Sequence, residues 1–221
     1  MGPVVIDVPD DIQRADVDET TLRHFEPPQF LFPPPRPAIE GNFKRPIIAF
    51  GWGVHLSEGG RQSARDMITR IGVPCVTTWG AADIMVGHPL YVGTWGTHGI
   101  RAANFAVQNA DLVIAIGTRL DTKATGSPAS SFAPKAHLAM VDIDAAELNK
   151  MASIGRPCQL IQMDAERFMR CTEFFGDFSD WREKIAGWKR DYPAILAEYG
   201  PENPYRIMEE LGRYLTADDV V

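Results

Sequence analysis

Cysteine is scarce in this 221-residue chain. Cys75, Cys158 and Cys171 stand far apart and form no Cys-x-x-Cys pair. An odd number at such spacings argues against a structural zinc site or a disulfide framework. Reduced thiols in a cytoplasmic protein fit better. Clustered basic residues are also missing. The formal net charge is -7, and Lys44-Arg45 is a solitary basic pair before a strand, so no nucleic-acid footprint is drawn. Long apolar runs are absent too. The stretch from Ala110 to Ile116 is interrupted by Asp111 and is far too short to span a bilayer. The first residues carry neither a basic region nor a long apolar core, so they do not read as a signal peptide. Nor does the sequence offer a Ser-His-Asp or Cys-His order, metal-ligand spacing or a buried carboxylate pair. It favours binding over catalysis.

What is present belongs to a globular protein. With 45% hydrophobic and 23% charged residues, the chain is neither disordered nor fibrous. Pro3 to Pro9 reads as a buried strand with nothing before it to pair with. An acidic stretch follows, and then Phe25 to Pro37 holds Pro27, Pro28, Pro33, Pro34, Pro35 and Pro37. That is a stiff, extended linker, and its aromatic residues suit a path along a surface.

From Lys44 the pattern alternates between strand, loop and helix. Pro46-Ile-Ile-Ala-Phe is a short continuous apolar run, as a strand covered on both faces requires. Ser57 is the expected cap of a helix with Ala64, Met67, Ile68 and Ile71 on one face, closed by Gly72. Val73 to Thr78 makes a second strand, and Gly99 to Ala110 a second helix. Leu112-Val-Ile-Ala-Ile is the clearest strand, followed by strands at His137–Ile143 and Cys158–Met163. Asp164 caps a helix over Ala165–Phe174. The expected fold class is α/β: a doubly wound, mostly parallel sheet with helices on both faces, Rossmann-like, over residues 44–175. Trp181, Ile185, Trp188 and Tyr192 mark an amphipathic helix in a helical linker over 176–202. Asn203-Pro204 opens another helix, and Asp218-Asp-Val-Val reads as the start of a strand. A strand without a partner at each end suggests a piece of something larger.

Ligands of doubly wound sheets sit beyond the carboxyl ends of the strands, where three loops fall. Gly51-Trp-Gly-Val-His is either a close approach to a phosphate or a plain tight turn. Gly93-Thr-Trp-Gly-Thr-His-Gly99 puts three glycines at a helix start, where Gly96 suits a close contact and His98 is a capping or packing residue before it is a catalytic one. Gly117-Thr-Arg-Leu-Asp-Thr-Lys offers Arg119 and Lys123 to a pyrophosphate, with Asp121 placed to hold either. Asp142 and Asp144 end a strand where a carboxylate meets a ribose hydroxyl, although Asp144 can equally cap the next helix. Trp52, Trp79 and Trp95 are expected to be exposed in adjacent loops, facing a flavin-like ring or a neighbouring domain.

These loops, in this order, resemble the central domain of thiamine-diphosphate-dependent enzymes of the acetolactate synthase type. The resemblance rests on Pro46 to Gly53, Gly72 to Thr78, Gly87 to Leu90, Gly93 to Gly99, Ala102 to Val107, Ala110 to Asp121 and Val141 to Leu148. The ends fit as well. Residues 1–24 look like the close of the upstream pyrimidine-binding domain, 25–43 the linker, and 203–221 the opening of the downstream diphosphate-binding domain.

The resemblance implies a parent that decarboxylates a 2-oxo acid, with or without transfer of the acyl unit, and works as a dimer or tetramer. The thiamine diphosphate and Mg2+ would belong to the flanking domains, so this chain alone would be inactive. It also implies that the central domain holds FAD, ADP or nothing, with Gly51, Gly53, Gly96, His98, Gly117, Arg119, Asp142 and Asp164 facing the ligand. Three departures stand out. Trp79-Gly-Ala-Ala replaces an apolar stretch, Lys123 replaces an Arg, and the Pro-rich segment replaces most of a helix. Two other readings are a stand-alone nucleotide-binding regulatory module and an NAD-dependent deacylase, the latter normally carrying a four-cysteine zinc module that three scattered cysteines do not supply.

Overall fold

The computed structural model describes residues 5–23, 39, 41–152, 157–216 and 218–219, which fall into two units divided after Pro34. In the first unit, a one-turn helix, α1 (Asp10–Gln13), buries no residue and carries an Arg14–Asp10 ion pair of 3.0 Å. Val5 to Val8 form no strand, and Val5 and Ile6 are exposed. A strand needs a neighbour to take its N–H and C=O groups, and among the described residues none pairs with this one. Residues 1–4 and the whole Pro-rich segment from Phe25 to Pro37 lie outside the described residues.

The second unit is built on β1 (Pro46–Phe50), every residue of which is buried. The chain continues through α2 (Gly53–Leu56) and α3 (Gly60–Ile71) to β2 (Cys75–Thr77), then through a 3-10 turn at Trp79–Ile84 to β3 (Tyr91–Thr94). Next come α4 (Arg101–Asn109), β4 (Leu112–Ile116), α5 (Thr122–Thr125), β5 (His137–Asp142) and α6 (Ala145–Ala152). Finally β6 (Cys158–Gln162) leads into α7 (Ala165–Cys171), α8 (Ser179–Asp191) and α9 (Pro204–Leu211).

The six strands are all parallel, in the order β3-β2-β1-β4-β5-β6. The expected α/β doubly wound class is therefore the observed one, and the order is that of the Rossmann fold. Right-handed crossovers decide the helix layers: the step from β1 to β2 runs one way along the sheet and that from β3 to β4 the other, which sends α3 and α4 to opposite faces. Accordingly α3 packs with α7, and α4 with α8.

Several local expectations hold at the atomic level. Gly72 ends α3 in the left-handed conformation. Asp164 caps α7 by accepting from the Arg167 N–H, and Asn203 caps α9 by accepting from Tyr205. Two others do not. Ser57 caps nothing; α3 begins at Gly60 after Gly59, and the Ser57 hydroxyl instead donates to Asp164 Oδ2 at 2.8 Å. Tyr91–Thr94 is an edge strand where a loop was expected, because Gly93 inside so short a run weakens the strand signal; its register with β2 slips between Cys75 and Val76. Of the strand expected from Asp218, Val220 and Val221 lie outside the described residues, and Asp219 accepts from the Thr216 N–H.

Helix α8 is held to the core. The buried Trp181 donates its indole N–H to the Pro46 carbonyl at 2.9 Å, and Arg182 donates to the Gly72 carbonyl at 3.0 Å. Trp188 meets Trp181 edge to face.

Candidate functional site

In a parallel sheet all strand ends of one kind lie along one edge, so the loops after β1, β2, β3 and β4 share the carboxyl edge. The order of strands reverses between β1 and β4, which makes their loops the switch point. There the backbones touch. The Gly51 N–H donates to Ile116 O and the Gly53 N–H to Gly117 O, each at 2.9 Å. A Cβ on Gly51 would stand 2.3 Å from the Gly117 carbonyl oxygen, and one on Gly53 2.8 Å from Gly117 Cα. Gly117 itself has φ +60°. These three glycines let two chain segments cross.

The next loops are tied together in the same manner. Thr97 sends both its N–H (2.8 Å) and its hydroxyl (3.1 Å) to the Lys123 carbonyl. The Trp95 indole donates to Ala124 O at 3.1 Å, and Asn104 brackets Gly96 through both its N–H and its C=O. A Cβ on Gly96 would fall 2.5 Å from the Lys123 carbonyl oxygen. Trp95 is thus buried, not exposed as expected, because its N–H finds a backbone partner inside the fold; Trp52 and Trp79 are exposed.

Above this floor the Trp79 ring stacks on His98, with centroids 5.3 Å apart and planes at 15°. The Lys123 ammonium stands 5.8 Å from the Trp79 centroid. A recess of about 70 Å³ remains, lined by Thr78, Trp79, Trp95, His98, Asp121 and Lys123. Asp121 holds neither the Arg119 nor the Lys123 side chain; its carboxylate caps α5 by accepting from the Lys123 and Ala124 backbone N–H groups.

Asp142 and Arg119 fall at the β5 side. Asp142 accepts from the Asp144 N–H at 3.0 Å, and burial raises its carboxyl above the usual range, an effect that this hydrogen bond partly offsets. Asp144 caps α6 through the Ala146 N–H. Arg119 donates to Glu147 at 2.9 Å, and Lys150 meets the same carboxylate, whose pKa is lowered first by the Lys150 hydrogen bond. Asp164 accepts from the Ser57 hydroxyl, in the turn between α2 and α3.

A wider, open cleft of about 640 Å³ lies over the start of α3, lined by His55, Ser57, Arg61, Gln62, Arg65 and Val86. Its basic side chains are already engaged. His55 and Arg61 meet Asp83 at 3.0 and 3.4 Å, and Arg65 donates to the Ile84 and Val86 carbonyls. Neither recess includes Gly51, Gly117 or Asp142. The structure therefore gathers Gly51, Gly53 and Gly117 in one crossing and Gly96 and His98 in another cluster, with Arg119, Asp142 and Asp164 in separate local networks. The sequence reading missed the parts played by Thr97 and Asn104, which only the meeting of two loops reveals. Among the described residues, no group of three His, Cys, Asp or Glu side chains is arranged to hold a metal, and no helix is long and apolar enough to cross a membrane.

An all-parallel sheet in this order, with crossing loops at its switch point, defines a Rossmann-like domain. Residues 41–170 match the family described as thiamine pyrophosphate enzyme, central domain, and the chain belongs to that family. It is 30% identical over 237 residues to the acetolactate synthase isozyme 2 large subunit of Escherichia coli, covering 100% of this chain and 40% of that protein. It is 32% identical over 243 residues to the acetolactate synthase large subunit of Corynebacterium glutamicum, covering 99% of the chain and 37% of the relative. Against a probable acetolactate synthase large subunit of Methanococcus aeolicus the identity is 34% over 235 residues, covering 95% and 39%. The chain thus spans about two fifths of the relatives it matches.

Proposed function

We propose that this chain serves as the central domain of a thiamine-diphosphate-dependent 2-oxo acid decarboxylase or carboligase of the acetolactate synthase type. In that reading it joins the pyrimidine- and diphosphate-binding domains of one parent chain, which assembles as a dimer or tetramer. The thiamine diphosphate and Mg2+ belong to those neighbours, and the domain alone turns nothing over. Its own ligand is a nucleotide, FAD or ADP, at the carboxyl edge of the sheet, with the ring beside His98 and the phosphates near Lys123 and Arg119.

The observation that supports this reading best is the crossing of the Gly51–Gly53 turn with Gly117. It sets the loops after β1 and β4 at the position where doubly wound sheets receive nucleotides. Isothermal titration of the 221-residue chain with FAD, ADP and NAD tests it. Micromolar binding of FAD or ADP, with NAD weaker, is the expected outcome. Silence from all three removes the nucleotide from the proposal and leaves the domain a purely structural role.

A further inference from the structure

The recess between the β3 and β4 loops measures about 70 Å³, whereas small-molecule sites run from roughly 300 to 1,000 Å³. Most of its walls are held in place. The Thr97, Trp95 and Asn104 hydrogen bonds fix them, and a shift there would break several at once. One wall lacks such bonds: the Trp79 side chain, which lines the recess and stacks on His98.

Trp79 is held loosely compared with its neighbours. It begins the 3-10 turn whose anchors are Ala81 and Ile84, both fully buried, while its own residue is 67% exposed. Among the described residues its indole N–H has no hydrogen-bond partner, in contrast to that of Trp95. What keeps it in place is the His98 stack and the Lys123 ammonium. The side chain can therefore rotate away while the turn stays fixed. The place it vacates is a planar slot against an imidazole with a cation beside it, which suits an aromatic ring carrying phosphate.

We propose that Trp79 is a plug: it stacks on His98 in the position a nucleotide's ring would take, and a ligand enters only by displacing it. The proposal rests on the nucleotide reading above. Because the open state is a minor fraction of the molecules, the apparent affinity falls by that fraction. Surrender of one stacking and one cation–π contact corresponds to about tenfold.

The test compares the 221-residue chain with Trp79→Ala and Trp79→Leu by calorimetric titration with ADP and FAD. The His98 ring protons are followed by NMR, and thermal transitions confirm folding of these exposed-site variants. Expected are binding about tenfold tighter in both variants and a downfield shift of the His98 signals as the indole ring current is lost. Equal affinity in all three proteins overturns the plug while the nucleotide reading stands, and weaker binding in the variants shows a platform in place of a plug. His98 signals that do not move refute the stack. If none of the three proteins binds either nucleotide, the nucleotide reading falls and the plug with it.

Discussion

Replacing Gly51 by Ala separates two reasons for a glycine at the end of β1. If Gly51 is there to admit a ligand, a methyl group leaves the ligand-free protein undisturbed. If it is there to let chains cross, the methyl group meets protein. The structure supports the second. The added Cβ would lie 2.3 Å from the Gly117 oxygen, 2.5 Å from Thr118 Cβ and 2.6 Å from Thr118 Cα, roughly 1 Å or more inside ordinary contact. None of these atoms belongs to the far end of a flexible side chain. Overpacking costs about 1–3 kcal/mol, and parting the segments strains the Gly53–Gly117 hydrogen bond, for about another 1–3 kcal/mol. The total of about 2–6 kcal/mol is a large share of the ~5–15 kcal/mol that holds a domain folded. At ~2–4 °C per kcal/mol for a chain of this size, the thermal midpoint falls by about 10 °C. Gly59→Ala is the control: Gly59 has φ +69° with nothing within 4 Å of its Cβ position, so only left-handed strain of about 1–2 kcal/mol applies. Urea and thermal unfolding of both variants give the comparison. A Gly51→Ala protein no less stable than Gly59→Ala would refute the crossing account.

Two further predictions concern the frame around the site. Burial raises the Asp142 pKa in the folded chain above its ordinary 3.8, so ionisation of Asp142 opposes folding. Asp142→Asn, which can still accept from the Asp144 N–H, should raise the unfolding midpoint relative to the parent at pH 7. The advantage should shrink as pH falls through the raised value and vanish below 3.8; melting curves across pH 3–8 that run parallel would count against it. Trp181→Phe leaves the Pro46 carbonyl without the donor it has at 2.9 Å, and the loss should be about 2–3 kcal/mol in urea unfolding; a change under about 0.5 kcal/mol, the scale of ordinary surface substitutions, would show the bond to be dispensable.

The sheet was legible because its strands are uninterrupted apolar runs. Leu112 to Ile116 and Pro46 to Phe50 are buried at every position, and a parallel strand covered on both faces needs that composition. Strand β3 was not legible, since Gly93 reads as a loop. The caps divided by range. Asp164 and Asn203 bind N–H groups two or three residues on, a local event that residue type announces. Ser57 looked like the same signal, but its partner is Asp164, 107 residues away. The site divided likewise. Strand-to-helix alternation predicted that the glycine loops share one edge of the sheet. It gave no sign that Trp95 would turn inward to Ala124 while Trp79 turned outward to His98. Both are tryptophans in loops beside glycine; only the surfaces that meet them differ.

The bond from Trp181 to Pro46 joins residues 135 apart, which gives the order of synthesis a physical meaning. Strand β1, at the centre of the sheet, is among the first parts of the domain made, yet its opening carbonyl gains its donor only once α8 has been made. A chain that ends before Ser179 lacks the donor for that carbonyl and leaves open the apolar surface that Trp181 and Ile185 cover. Closure of such distant contacts comes late. Helix α8 is thus the last piece of cover for the sheet, and a chain without it presents apolar surface prone to association.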